Sequence, residues 1–174
     1  MRGDLALSAR LAMRGGGLAG SVSAIGGLVA IVAARSPWFH AMAEVAMLGT
    51  RQQRAVASLT GVPDTVWGWS TLALGLVAVV LGVLVALDRP PLVARRVLLG
   101  CGLGLVATAV AAWLGPAPAL DGIAGAEGGQ LAQLARRLPM GVALELHVRA
   151  GIGPPLSALA GVLVVGGTLA AREL

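Results

Sequence analysis

Residues 66–87 read VWGWSTLALGLVAVVLGVLVAL. This run is uncharged and longer than the about 20 apolar residues a helix needs to cross the hydrocarbon layer of a bilayer. Its length and lack of charge predict a membrane span. Three further runs of the same kind lie to either side, at 15–34, 97–114 and 154–171, and none of them carries a charged residue. The last is apolar only from Leu156, so it is expected to recruit Pro154 and Pro155, which a helix tolerates in its first turn. The fold class that follows is all-α membrane: a four-helix bundle with two long loops, 35–65 and 115–153, and one tight turn, 88–96.

Composition supports lipid as the solvent. The chain of 174 residues is 57% hydrophobic and only 12% charged, far from a soluble domain of that size. All thirteen basic residues are Arg, and Gly and Ala are abundant, as in a high-GC bacterial genome. The formal charge of +5 sits in small groups beside apolar runs, which fits membrane orientation and not a continuous nucleic-acid face. Cys101 is the single cysteine, so an intramolecular disulfide, a CxxC motif and a cysteine metal cluster are all ruled out.

Orientation follows from charge density. Arg2, Arg10 and Arg14 precede the first run, and Arg89, Arg95 and Arg96 crowd the turn at 88–96. Both segments are expected on the cytoplasmic side, which places the N- and C-termini there and the two long loops outside. The N-terminus imitates a signal peptide ending at Val32-Ala33-Ala34. The apolar run before that point is long enough to span, so it is expected to be retained as the first helix. Trp38, Trp67, Trp69 and Trp113 all fall at the outer ends of helices and predict a one-sided aromatic belt.

The outer loops carry structure of their own. Residues 142–149 alternate strictly, Val142, Leu144, Leu146 and Val148 against Glu145, His147 and Arg149, which predicts a half-buried strand. In the first loop, 39–48 and 51–60 flank Gly49-Thr50, the pattern of a two-residue hairpin turn. Trp38, Met42, Val45 and Leu48 suit an amphipathic helix equally, and the sequence leaves both open. Leu131, Leu134, Ala135 and Leu138 predict a short helix that Pro139 ends. Together these elements form a small outer cap of sheet and short helix. The stretches Ser70-Thr71-Leu72-Ala73 and Ser157-Ala158-Leu159-Ala160 share a rhythm that hints at duplicated halves.

No catalytic residue and no cofactor is expected. Proton relays, ion paths and haem ligation require ionisable or ligating groups within the bilayer, and the four runs contain none. His40 with Glu44, joined by Glu145 and His147, would make a metal site on the outer face. One His per loop provides no ligand spacing, and two solvated histidines account for the same residues, so no metal is expected there. Gly16 and Gly20, Gly100 and Gly104, and Gly75 with Gly82 are positions for close helix packing, within the bundle or against a partner. Arg95 and Arg96 are expected at the membrane interface as topology signals, with anionic lipid binding as the alternative. Cys101 is expected to pack inside its helix.

The chain runs in the order basic tail, Pro37-Trp38-Phe39 after the first span, a strand-bearing loop, Val66-Trp67-Gly68-Trp69 opening the second, an Arg-rich turn and an outer strand. It resembles the actinobacterial four-pass family called tryptophan-associated membrane proteins, and is similar in architecture to claudin-type proteins, four helices with an outer sheet. The resemblance covers most of the chain. It implies a bacterial membrane protein without catalytic residues, the family label referring to gene neighbourhood and not to tryptophan chemistry. The expectation for function is therefore a non-catalytic accessory or structural subunit of a membrane complex in the cytoplasmic membrane. Its partners would be the bilayer and a membrane protein or further copies of itself, with no nucleic acid. An oligomeric transporter or pore, and an outer-face metal or ligand sensor, are the alternatives.

Overall fold

The computed structural model describes residues 2–47, 50–87, 93–115 and 143–170, with side chains at 17–40, 42, 58–87, 93–115 and 148–170. In chain order it contains α1 (Arg2–Arg35), β1 (Pro37–Met47), β2 (Thr50–Thr60), α2 (Val66–Ala86), α3 (Ala94–Leu114), β3 (Ala143–Ala150) and α4 (Gly153–Ala170). Four helical segments are long and apolar enough to cross a membrane: Gly17–Arg35, Val66–Ala86, Ala94–Leu114 and Gly153–Ala170. They pack in a ring, α1 on α2 and α4, and α3 on α4 and α2. The core between them holds Ala30, Ala78, Leu98, Cys101, Leu105, Ala160 and Val164.

Two helix boundaries differ from the sequence expectation. Helix α1 reaches back to Arg2, so the basic tail is a continuation of the first span and not a separate segment. At about 1.5 Å per residue its whole length is about 51 Å, well beyond a hydrocarbon layer of about 30 Å. Helix α3 begins at Ala94, which takes Arg95 and Arg96 out of the expected turn and into the first helical turn. Ala and Arg are strong helix formers, and they carry the helix up towards the Pro90-Pro91 pair. Helix α4 starts at Gly153 with both prolines in its first turn, as expected.

The first loop is a hairpin. Strand β1 is the middle of a three-stranded antiparallel sheet of order β2-β1-β3. A strand wins over an amphipathic helix here because β1 finds partners on both edges, which satisfies the main-chain groups pointing to either side. Met47 pairs with Thr50, so Thr50 opens β2 and does not belong to the turn. The register shifts between Ala41 and Met42, which pair with Ala57 and Ala55, so the extra residue is Val56 and the bulge lies on β2. The strand expected at 142–149 is β3, displaced by one residue. The helix expected around Leu131 to Leu138 lies outside the described residues.

The sheet covers one end of the ring. Trp38, Phe39 and Ala112 form a second buried cluster, with Leu59, Trp67 and Val148 against it. Residues from β1, β2, β3, α2 and α3 therefore meet at a single junction.

Candidate functional site

Trp38 is the centre of that junction. Helix α1 ends at Arg35, because the next residue, Ser36, precedes Pro37, a position that disfavours helical backbone. Its last carbonyls would be orphaned in an apolar interior, but those of Val32, Ala33 and Ala34 each find a donor. Ser36 Oγ donates to Val32 O at 2.9 Å, Val62 N to Ala34 O at 2.7 Å, and the Trp38 indole Nε1 to Ala33 O at 2.8 Å. Trp38 has 0% exposure. A Cβ on Gly61 or Gly153 would run into its indole, and one on Gly68 into Gly61. The ring thus lies against bare backbone from the β2–α2 connection and the start of α4, with Gly68 of α2 packed behind Gly61.

The β2–α2 connection is tied down locally. Asp64 accepts from Thr60 N at 2.9 Å and Thr60 Oγ1 at 2.8 Å. Thr65 caps α2, accepting from Gly68 N at 3.0 Å, while its own hydroxyl donates to Gly61 O at 2.9 Å. A Thr at this position satisfies a free N–H of the first turn.

The four tryptophans share one end of the bundle but not one environment. Trp69 and Trp113 point outward, 53% and 66% exposed, and Trp67 packs against the junction. Trp38 is the correction to the expected belt: it is a core residue. The alternation that turns Phe39 into the junction fails at Trp38 because the register shifts between Pro37 and Phe39. Arg95 and Arg96 are exposed at the opposite end, in the first turn of α3.

The helix seams are built from glycine. Gly20 and Gly27 on α1 are seven apart, as are Gly75 and Gly82 on α2, and the antiparallel helices set Gly20 against Gly82 and Gly27 against Gly75. A Cβ on Gly20 would meet Gly82 O at 2.6 Å, and one on Gly27 would meet Gly75 O at 2.7 Å. Gly102 and Gly161 bring α3 to α4 in the same reciprocal way, and Gly26 and Gly167 bring α1 to α4. Of the six glycines singled out from sequence, Gly20, Gly75 and Gly82 lie in the α1–α2 seam, and Gly104 faces the Leu74 side chain at 3.0 Å. Gly100 has nothing within 4 Å where a Cβ would stand, so it packs no seam of this bundle. The side-chain surroundings of Gly16 lie outside the described residues. Sequence reading missed Gly26, Gly27, Gly102, Gly161 and Gly167, and the seven-residue spacing of Gly20 and Gly27 was the signal for one of them.

Hydroxyls inside the bundle are all engaged. Ser157 Oγ donates to Leu105 O at 3.1 Å and stands 3.4 Å from Thr71 Oγ1. With the Ser157 proton committed to Leu105, Thr71 is the donor in that second contact. Ser23 Oγ and Thr168 Oγ1 donate to carbonyls one turn back, Ala19 at 3.1 Å and Val164 at 2.7 Å. Among the described residues no buried side-chain polar atom lacks a partner. Cys101 is buried among core residues of α3.

The pairing of β1 with β3 sets His40 opposite Arg149, Met42 opposite His147 and Glu44 opposite Glu145. His40 and Glu44 are thus separated by four strand residues, about 13 Å along the chain. No group of three His, Cys, Asp or Glu side chains able to hold a metal occurs among the described residues; the side chains of Glu44, Glu145 and His147 are not among them. Set against known protein families the chain matches none, and no curated protein is similar to it in sequence.

Proposed function

We propose that this chain is a non-catalytic, four-pass protein of the bacterial cytoplasmic membrane that serves as an accessory subunit of a larger membrane complex. Both termini lie on the cytoplasmic side, where Arg95 and Arg96 mark the boundary, and the three-stranded sheet stands on the outer face. The resemblance to the tryptophan-associated four-pass family fits this placement.

The observation that carries the reading is the contrast among the glycines. Those in the seams are consumed by the bundle's own packing, whereas Gly100 on α3 and Gly166 on α4 have nothing within 4 Å and face outward. Small residues on an outward helix face let another helix approach closely, the chief means of helix association in lipid. Their neighbours Leu103 and Val162 are exposed and apolar. The spans carry charge only at their ends, at Arg35, Arg95 and Arg96, and the buried hydroxyls are committed to carbonyls and to each other inside the bundle, which argues against a path through one copy.

The test is extraction of the tagged chain in mild detergent and measurement of stoichiometry. A partner retained in fixed ratio, and lost on Gly100→Ile or Gly166→Ile while unfolding temperature is unchanged, supports the reading. A monodisperse monomer that both substitutions leave unaltered overturns it. Co-elution of two differently tagged copies without another protein would instead make the chain a homo-oligomer.

A further inference from the structure

Among the described residues, the outer edges of β2 and β3 have no partner strand. The two edges differ in kind. Strand β2 carries Arg51 and Arg54 and is bulged at Val56, devices that blunt an edge against further pairing. Strand β3 pairs with β1 in one unbroken register and contains neither proline nor glycine, which leaves its far edge a regular template for another strand.

One hydrogen bond tells which main-chain groups lie on that edge. Gly151 N donates to Trp38 O at 2.7 Å, and these two residues stand one step beyond the pair Phe39 and Ala150. They are therefore a hydrogen-bonded pair of the antiparallel ladder, and such pairs alternate with unbonded ones. Arg149, His147 and Glu145 accordingly turn their N–H and C=O groups to β1. Leu144, Leu146, Val148 and Ala150 turn theirs to the free edge.

Antiparallel pairing of this edge with a second copy of itself requires a register that opposes outward-directed residues to each other. The register centred on His147 opposes Leu144 to Ala150 and Leu146 to Val148 of the second copy, so every main-chain group of the edge finds a partner. Centring on Leu146 leaves Ala150 unmatched within the strand, and centring on Val148 leaves Leu144 unmatched. The His147 register also opposes Glu145 to Arg149 of the second copy on both sides of the axis, which neither neighbouring register does. Opposite charges directly across a strand pair stabilise it. Complete backbone bonding and charge thus select the same register independently.

We propose that β3 pairs with β3 of a second copy of this chain across a two-fold axis at His147, joining the two sheets into one. The two-fold axis of an antiparallel pair runs through the sheet from face to face. Both copies therefore keep the face of Phe39 and Val148, which packs on the bundle, on the same side. The two bundles stand beneath one continuous sheet and share one membrane. Nothing in this proposal rests on the accessory-subunit reading, since a larger complex can hold such a pair.

The experiment uses the full chain in mild detergent, with Cys101→Ala as background so that each added thiol is the only one. Opposed residues of an unbonded pair lie about 4.5 Å apart at Cα, within the limit of about 7 Å for a disulfide. His147→Cys is expected to give a disulfide-linked dimer on mild oxidation. Glu145→Cys or Arg149→Cys alone stands four residues out of step with its own copy, about 13 Å away, and is expected to link about tenfold less. Differently tagged Glu145→Cys and Arg149→Cys chains produced together are expected to link to each other. Without added thiols, Glu145→Arg and Arg149→Glu are each expected to weaken the dimer about tenfold or more in light scattering across a dilution series, and the double exchange to restore it. Position 145 is opposite Glu44 in its own sheet, so Glu145→Arg leaves the single copy no less stable, which unfolding temperature checks. A chain that is monomeric at every concentration overturns the proposal. So do equal links from all three single cysteines, a dimer that Glu145→Arg leaves as tight as wild type, or residue 147 linking to a different protein instead. A monomer in which the amides of Leu146 and Val148 exchange slowly with solvent shows the edge covered by this chain itself, and likewise overturns it.

Discussion

The indole N–H of Trp38 donates to the main-chain carbonyl of Ala33 at 2.8 Å, five residues back and across the end of α1. This contact seals the last turn of a helix and anchors the central strand of the sheet to it. Trp38→Phe keeps an aromatic ring but strands the Ala33 carbonyl and leaves a void between Gly61 and Gly153. A buried unsatisfied acceptor costs about 1–3 kcal/mol, and lost ring volume adds to it. The expected outcome is destabilisation of about 2–4 kcal/mol in detergent, measured by thermal or denaturant unfolding.

Gly82 and Gly100 lie on neighbouring helices and should respond oppositely to the same change. A side chain on Gly82 meets the backbone of Ala24 and Gly20, so Gly82→Val must push α1 from α2, with an expected cost of about 1–3 kcal/mol or more. Gly100→Val enters open space and should stay within about 0.5 kcal/mol for the isolated chain. Equal effects in an unfolding assay would mean that the α1–α2 seam is not the close approach described.

The hydroxyls of Thr71 and Ser157 couple α2 to α4. Interhelical hydrogen bonds within membrane proteins contribute about 0.6 kcal/mol on average. A double-mutant cycle of Thr71→Val and Ser157→Ala should return a coupling of that order. Ser157→Ala alone should cost more than Thr71→Val, since it also removes the donor to Leu105 O.

Labelling in intact cells checks the proposed orientation. In a Cys101→Ala background, cysteine at Ser58 or Arg149, exposed on the sheet, should react with a membrane-impermeant maleimide added from outside. Cysteine at Arg95 or Arg96 should react only after the membrane is opened. The native Cys101, buried in the α3 core, should resist labelling until the protein unfolds.

How far the sequence could be read depended on the range of the interactions that decide each feature. Four helices were legible because spanning length and absence of charge are properties of a continuous run, as in 66–87. Their ends shifted at Arg2 and Ala94 because helix propensity carries a helix beyond its apolar stretch. The strand at β3 was legible from its alternation, and the first loop stayed ambiguous because its apolar spacing fits two periods at once.

Local pattern, then, determined the apolar runs, the outer strand, the prolines at the start of α4 and the gathering of tryptophans at one end. Tertiary structure decided what no single run contains. Whether Gly27 or Gly100 packs a seam depends on which face a neighbouring helix covers, and Trp38 is core because Gly61 and Gly153 arrive from distant parts of the chain. The opposition of Glu44 and Glu145 exists only once β3 has chosen its register on β1. Close packing and strand pairing join residues far apart in the chain, and a linear sequence names the participants without matching them.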